Sequence, residues 1–163
     1  MRADEYDALG TITVEAYRDL FGGAQLGGYE EELVAVAERA ADSVVLVAVD
    51  DDDQLLGGVT YVPDPGRAMS EFTDPDAAGI RMLVVRPSSQ GAGIGRALTE
   101  ACMARARSDG RRRIVLHSTP VMTVARAMYE RLGFERAPAL DEWVTEGPYA
   151  NDPLHLIAYV LTL

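Results

Sequence analysis

A chain of 163 residues, 48% of them apolar, can build a real core and is too apolar to stay disordered. No apolar run reaches the roughly 18 residues of a membrane span, and the one cysteine, Cys102, offers neither an internal disulfide nor a metal-ligand spacing. The net charge of −11, with Arg supplying all 15 basic residues, excludes lysine Schiff-base chemistry and argues against nucleic acid as a main partner.

The opening residues, MRADEYDALG, lack the basic-then-apolar order of a secretion signal, so a cytoplasmic protein without membrane contact is expected. Residues 5–20 read as a helix with Leu9, Ile12, Ala16 and Leu20 on one face. The glycines of FGGAQLGGYE mark a loop, and residues 30–41 read as a second helix through Leu33, Val34, Ala37 and Ala40. SVVLVAVD is a buried strand, DDD a turn, and QLLGGVTYV its hairpin partner. Residues 63–78 are a loop rich in Pro and Asp, followed by the strand GIRMLVVR. Residues 94–108 repeat apolar groups at Ile94, Ala97, Leu98, Ala101 and Cys102, a helical stripe. After the strand RRRIVLHS, the run TPVMTVARAMYERLG offers Thr119 as N-cap, Pro120 in the first turn and Gly133 as the stop. Its core stripe would be Val121, Val124, Ala125, Met128 and Leu132, and LHLIAYVLTL closes the chain as a strand. With no repeat and no long linker, residues 1–163 read as one domain, a mixed α/β sheet with helices on both faces.

The stretch RPSSQGAGIGRAL places Gly91, Gly93 and Gly95 between a strand and a helix. Glycines lose the most conformational freedom on folding, so such a cluster needs a reason. A helix starting near Ile94 presents unpaired amides and a positive dipole end, and glycines let a bulky phosphate approach. Arg96, in the first turn, can add a charge-assisted bond. A P-loop would need a Lys that this chain does not have, and the glycine spacing differs from the dinucleotide fingerprint. The glycines alone also fit a plain strand-to-helix turn.

VVRPSSQGAGIGRAL resembles the acyl-CoA-binding motif of the GNAT superfamily of N-acyltransferases: Gln or Arg, two residues, Gly, one residue, then Gly or Ala, met by Gln90, Gly93 and Gly95. ARAMYERLGFER, further on, is similar to the family's later helix, Ala-x-x-x-Tyr followed by Leu-Gly-Phe. The resemblance covers roughly residues 44–136. It implies a GNAT-like fold: a central, mostly antiparallel sheet with one splayed parallel strand pair. It also implies acetyl-CoA as co-substrate, with no metal. The strand at Leu83, Val84 and Val85 would pair with the pantetheine arm, and Gln90, Gly91, Ala92, Gly93, Ile94, Gly95 and Arg96 would hold the pyrophosphate. The strand over 112–118 would splay away and leave a slot for the thioester. Three departures stand out: the chain starts almost inside the first helix, Met122 stands where many members have Asn, and Gly79 where many have a Glu base.

Charge divides along the chain. Residues 1–80 hold 4 Arg against 18 acids, and residues 81–136 hold 11 Arg against 4. The positive part is the CoA part, and the acidic part either draws a cationic amine or serves only to keep the protein soluble.

Acetyl transfer needs a neutral amine, a donor to the thioester oxygen and a proton for the leaving thiolate. Tyr129 is the candidate acid that the resemblance implies. Glu71, whose loop leads into the central strand, is the candidate base, with Asp141 and Glu142 beside Trp143 as rivals. His117 ends a strand near the slot, and both a role there and a hydrogen-bonded structural one stay open; His155, within the last strand, reads as structural, and Cys102, on a core stripe, does not read as a nucleophile. The reading is an N-acetyltransferase acting by direct attack in a ternary complex on a small cationic primary amine. A CoA-binding sensor or pseudoenzyme, or a protein N-acetyltransferase, are its alternatives. A homodimer is compatible with the sequence.

Overall fold

The computed structural model describes residues 1–21, 26, 29–146 and 149–163. Most of the glycine loop expected between the first two helices lies outside them.

A short turn leads into α1, Tyr6–Leu20, which buries Leu9, Ile12 and Val14 against the sheet. Among the described residues no strand precedes it. The helix expected over 30–41 is two: α2, Tyr29–Val34, and α3, Val36–Asp42. Ala35 leaves the helical region at ψ 52. The break frees carbonyls that need partners, and the buried Arg39 guanidinium supplies them, donating to the Glu32 and Leu33 oxygens at 2.8 and 2.9 Å. The buried face moves accordingly: Leu33 and Val36 pack inward, while Val34 and Ala37, expected in the core, are exposed.

The hairpin of β1, Val44–Val49, and β2, Leu55–Val62, forms as expected. Its turn is fixed by Asp50 Oδ1, which accepts from the amides of Asp52 and Gln54. β3, Ala77–Val85, pairs antiparallel with β2. Helix α4, Ile94–Ser108, follows; it buries Leu98, Thr99, Cys102 and Ala106, while Ala97 and Ala101 of the expected stripe are exposed. Next comes β4, Arg113–Ser118. Helix α5 runs only over Thr123–Arg131. Thr119 therefore does not cap it; its carbonyl accepts the Met122 amide in a preceding turn, and Met122 is the N-cap residue. The stop is as expected: Gly133 sits at φ 92, and the Phe134 amide returns to the Tyr129 carbonyl. Two short strands went unanticipated, β5 at Glu135–Arg136 and β6 at Glu142–Val144, and both pair with the closing β7, Leu154–Thr162.

The sheet runs β1-β2-β3-β4-β7-β5, antiparallel except for the β3–β4 pair. One core, around Leu98, Cys102, Leu116, Tyr129 and Tyr159, lies on the face of α4 and α5. The opposite face packs on α1, α2 and α3 through Leu9, Ile12, Leu33, Val36 and Val84. Among the described residues no helix is long and apolar enough to cross a membrane.

Two irregularities open the sheet. The parallel ladder starts at Ala77 with Arg113 and ends at Ile80 with Leu116, so the rest of β3 has no β4 partner. In β3 the register then slips by one residue against β2, and Met82 takes φ 49. This bulge leaves an extra residue off the ladder. It also turns two successive side chains, Arg81 and Met82, toward the α1–α2 face.

Candidate active site

The glycine run enters α4 with a left-handed backbone. Gly91 and Gly93 both have φ 82, and Gly93 is the N-cap, with no side-chain capping bond. A Cβ at either glycine would meet nothing within 4 Å. The glycines are thus needed for backbone hand, and the space above them is free. The first-turn amides of α4 point there with the dipole behind them, a site for a bulky anion. Arg96 stands at the rim in an exposed pair with Glu100 at 2.9 Å.

This cradle forms one end of a cavity of about 500 Å³. Leu83, Val84 and Val85 of β3 line it where β4 has departed, together with Gln90, Gly91, Gly93, Ile94, Gly95 and Arg96. Ala92 alone of the expected cradle residues is not on the wall and faces solvent. The opposite wall is the entry and first turn of α5, from Val121 to Ala125, with Met128 and Leu132 beyond. Val121 and Val124, expected in the core stripe, are instead 54% and 82% exposed at the cavity mouth, because α5 starts only at Thr123. Met122 lines the wall. The first helix, α1, contributes Ala16, Tyr17, Asp19 and Leu20 to the wall.

The second centre lies at the fork. Arg81 follows the last β3 residue paired to β4, and His117 follows the last β4 residue paired to β3. Glu71, from the loop before β3, spans the two: Arg81 Nη2 lies 2.7 Å from Oε1, and His117 Nδ1 lies 3.1 Å from Oε2. His117 Nε2 is 2.9 Å from the Leu140 carbonyl. Burial pushes the Glu71 carboxyl up, but the His117 bond and the Arg81 charge outweigh it and hold the group below its usual value. Burial pushes His117 down, yet the bonds to Glu71 and the Leu140 carbonyl leave it raised. The loop is anchored by Asp42, whose carboxylate accepts the Ala68 and Met69 amides. Phe72 fills the space above Gly79: a Cβ there would come within 2.7 Å of the Phe72 ring. A side chain at Gly79 would have to displace the Phe72 ring, and the loop that carries Phe72 also carries Glu71. Around the cluster stand Tyr17 and Tyr29, their rings edge-on at 5.9 Å, and Glu32, 3.9 Å from Arg81. The signal for Arg81 was present: it is the lone charge inside the apolar run AAGIRMLVV.

Tyr129 is 6% exposed and packs beside Phe134 and Tyr159, at ring separations of 5.6 and 6.4 Å. It lies behind the cavity wall formed by its helix neighbours Ala125 and Met128. Burial raises its phenol above the ordinary value, so it keeps its proton. Asp141 is a scaffold residue: Arg136 grips it with two bonds at 2.9 and 3.0 Å, and the Ala158 amide adds a third, holding it well below the carboxylate range. His155 bonds Asp141 at 3.0 Å and stacks flat on exposed Trp143, with ring centroids 4.3 Å apart. Glu142 is exposed on β6. Cys102 is fully buried, and burial pushes its thiol up to about 12.

The profile of the acetyltransferase (GNAT) family matches residues 9–134. A mycothiol acetyltransferase of Cellulomonas flavigena is 37% identical over 105 residues, 64% of this chain and 30% of that protein. Its namesake in Geodermatophilus obscurus is 38% identical over 95 residues, 57% of this chain and 29% of that protein. The match therefore spans under a third of the length of these relatives. Among solved structures, a Staphylococcus aureus GNAT acetyltransferase superposes with a TM-score of 0.75 at 12% identity, covering 100% of this chain and 96% of the other. A Brucella melitensis ribosomal-protein-alanine N-acetyltransferase gives 0.73 at 20% identity, covering 100% and 97%. At these identities the structural likeness bears on the fold.

Proposed function

The chain belongs to the acetyltransferase (GNAT) family, and from that premise we propose that it transfers an acetyl group from acetyl-CoA to a small primary amine by direct attack in a ternary complex. The observation that carries this reading is the continuity of one cavity from the left-handed glycine cradle to the unpaired edge of β3. The cradle takes the pyrophosphate of CoA on the α4 amides. The pantetheine arm runs along Leu83 to Val85, whose edge toward β4 is free. The thioester then lies in the fork, where the bulge at Met82 takes backbone off the ladder and offers an amide to the developing oxyanion.

The acceptor enters from the α1–α2 side, toward Glu71. A carboxylate held ionised there attracts an ammonium group, and as base it draws off the proton that attack requires. Tyr129 is the acid proposed for the leaving thiolate; because it lies behind the Ala125–Met128 wall, the thiolate has to reach the phenol past those side chains. The relatives' names put a mycothiol precursor among the acceptors worth trying.

The test is acetyl-CoA turnover against a panel of amines: putrescine, spermidine, glucosamine, cysteine amide and an alanyl peptide. Turnover with at least one is expected. Gly93→Asp places a carboxylate against the pyrophosphate and should abolish CoA binding in calorimetry. Unchanged affinity in that variant would remove the cradle assignment, and CoA binding with no turnover of any amine would leave a sensor.

A further inference from the structure

The Glu71 carboxylate sits between two cationic side chains that leave the sheet on separating strands, Arg81 on β3 and His117 on β4. We propose that His117, acting through Glu71, stores the proton that the acceptor amine gives up, so that the site works only after the Glu71–His117 pair has lost a proton to solvent. This rests on the amine-acetylation reading above.

The bonding pattern requires a mobile proton. A neutral imidazole has one N–H. His117 Nε2 lies 2.9 Å from the Leu140 carbonyl oxygen and Nδ1 lies 3.1 Å from Glu71 Oε2; both oxygens only accept, so a neutral ring satisfies one of them, and in this proposal its hydrogen stays on Nε2. The Nδ1 lone pair then faces Glu71 Oε2 at 3.1 Å, and an ionised carboxylate has nothing to donate. The bond between them forms only when one more proton sits between Oε2 and Nδ1. Arg81, 2.7 Å from the other oxygen, favours the ionised carboxylate and therefore a proton on Nδ1. The resting pair is carboxylate and imidazolium, and this form has no room for the amine's proton.

After deprotonation the vacancy is at Nδ1. The His117 side chain is only 5% exposed, so an acceptor reaches the vacancy through the more open Glu71. The neutral amine attacks the thioester carbonyl with its lone pair, and as the C–N bond forms one N–H bond breaks, its electrons stay on nitrogen and its proton forms a new N–H bond at Nδ1. The thiolate departs with the C–S electrons and takes the Tyr129 proton, and the pair and the phenol re-equilibrate with solvent. His117 is thus a positioning residue for a proton, with Glu71 the group that touches the acceptor.

The surrounding charges do not undo this arrangement. Glu142 of β6 favours the charged ring, as Glu71 does. Glu32 of α2 lies 3.9 Å from Arg81. Tyr17 of α1 and Tyr29 of α2 keep their protons, burial being the main cause. Arg39 of α3 is occupied by two backbone carbonyls.

The test compares the pH dependence of kcat/KM for whichever panel amine is turned over best, in the wild type, Glu71→Gln and His117→Gln, with the 15N imidazole titration of His117 in the wild type. The wild-type rate should rise along a limb whose midpoint coincides with the His117 titration, above 6.5. His117→Gln should erase that limb and lower the rate at pH 8 by about 10- to 100-fold, the low end of acid–base contributions. Glu71→Gln should lower the His117 midpoint. The amine's own deprotonation gives a second limb that stays in every variant, at about 10 for the alkyl amines and about 8 for an α-amine such as the alanyl peptide's. A limb unchanged in His117→Gln, with the amine still acetylated, overturns this inference alone. Wild type that turns over no amine overturns it together with the function. Should His117→Gln fail to fold, a kinetic midpoint that differs from the NMR midpoint in the wild type is the overturning result.

Discussion

Tyr129 and Cys102 show how burial assigns roles to single residues. The two share one core, and burial raises both groups. For the thiol this removes function: with a value near 12, almost no thiolate exists at neutral pH, so Cys102 is no nucleophile. For the phenol it keeps the proton in place and makes it harder to give up, so transfer needs the developing thiolate close beside it. Tyr129→Phe keeps the ring between Phe134 and Tyr159, so thermal unfolding should change little. Turnover should fall by roughly 10- to 100-fold, at or below the low end of general acid catalysis, because a thiolate is already a fair leaving group. CoA affinity should hold, since the cradle belongs to α4. The loss should shrink with an acyl donor whose thiol is more acidic. Full turnover in Tyr129→Phe, with chemistry rate-limiting, would make the hydroxyl structural.

At the scale of elements, the start of α4 separates what glycine does for the backbone from what it does for a ligand. Gly93 and Gly110 border the same helix, have φ 82 and φ 70, and have nothing within 4 Å of a built Cβ. Alanine at either should cost roughly 1–2 kcal/mol, the price of the left-handed backbone. Only Gly93→Ala should also weaken CoA, because only there does the open space receive the phosphate. Calorimetry and thermal melts of both variants check this; equal CoA affinity in the two would mean that the cradle does not contact the ligand. This site was legible in the sequence because its requirements are local: strand, glycines and helix follow one another in the chain. The fork was not. Arg81, Glu71 and His117 lie 10 and 36 residues apart along the chain, and only strand pairing makes them neighbours. The break at Ala35 was hidden for a similar reason, since helical periodicity continues across it and Arg39 supplies the missing donors. Val121 and Val124 misled because apolar spacing does not say where a helix begins, and a cavity wall uses the same residues as a core.

Across the whole molecule, two electrostatic trends oppose each other. The net charge of −11 at pH 7 repels itself, and lowering the pH relieves that repulsion. The paired carboxylates respond in the other direction. Glu71, Asp42, Asp74 and Asp141 are all held below their ordinary values. A group lowered in the folded state contributes stability above its unfolded value, and that contribution is lost as pH falls through the folded one. For Glu71 the loss begins below the usual 4.5. His117 is raised, so its contribution is complete below the usual 6.5 and is lost as pH rises through its folded value. Stability should therefore peak between about 4.5 and 6.5, fall steeply on the acid side and fall gently on the alkaline side. Melting temperatures from pH 3 to 9 check the shape. Salt at pH 8 should raise the melting temperature by screening the excess negative charge, and should do so less at pH 5. His117→Gln should flatten the alkaline slope, because the group that titrates there is gone, and leave the acid limb in place, because the aspartates that set it remain. An alkaline slope that persists in His117→Gln would assign the loss to net-charge repulsion alone, and salt would then abolish the slope in both proteins.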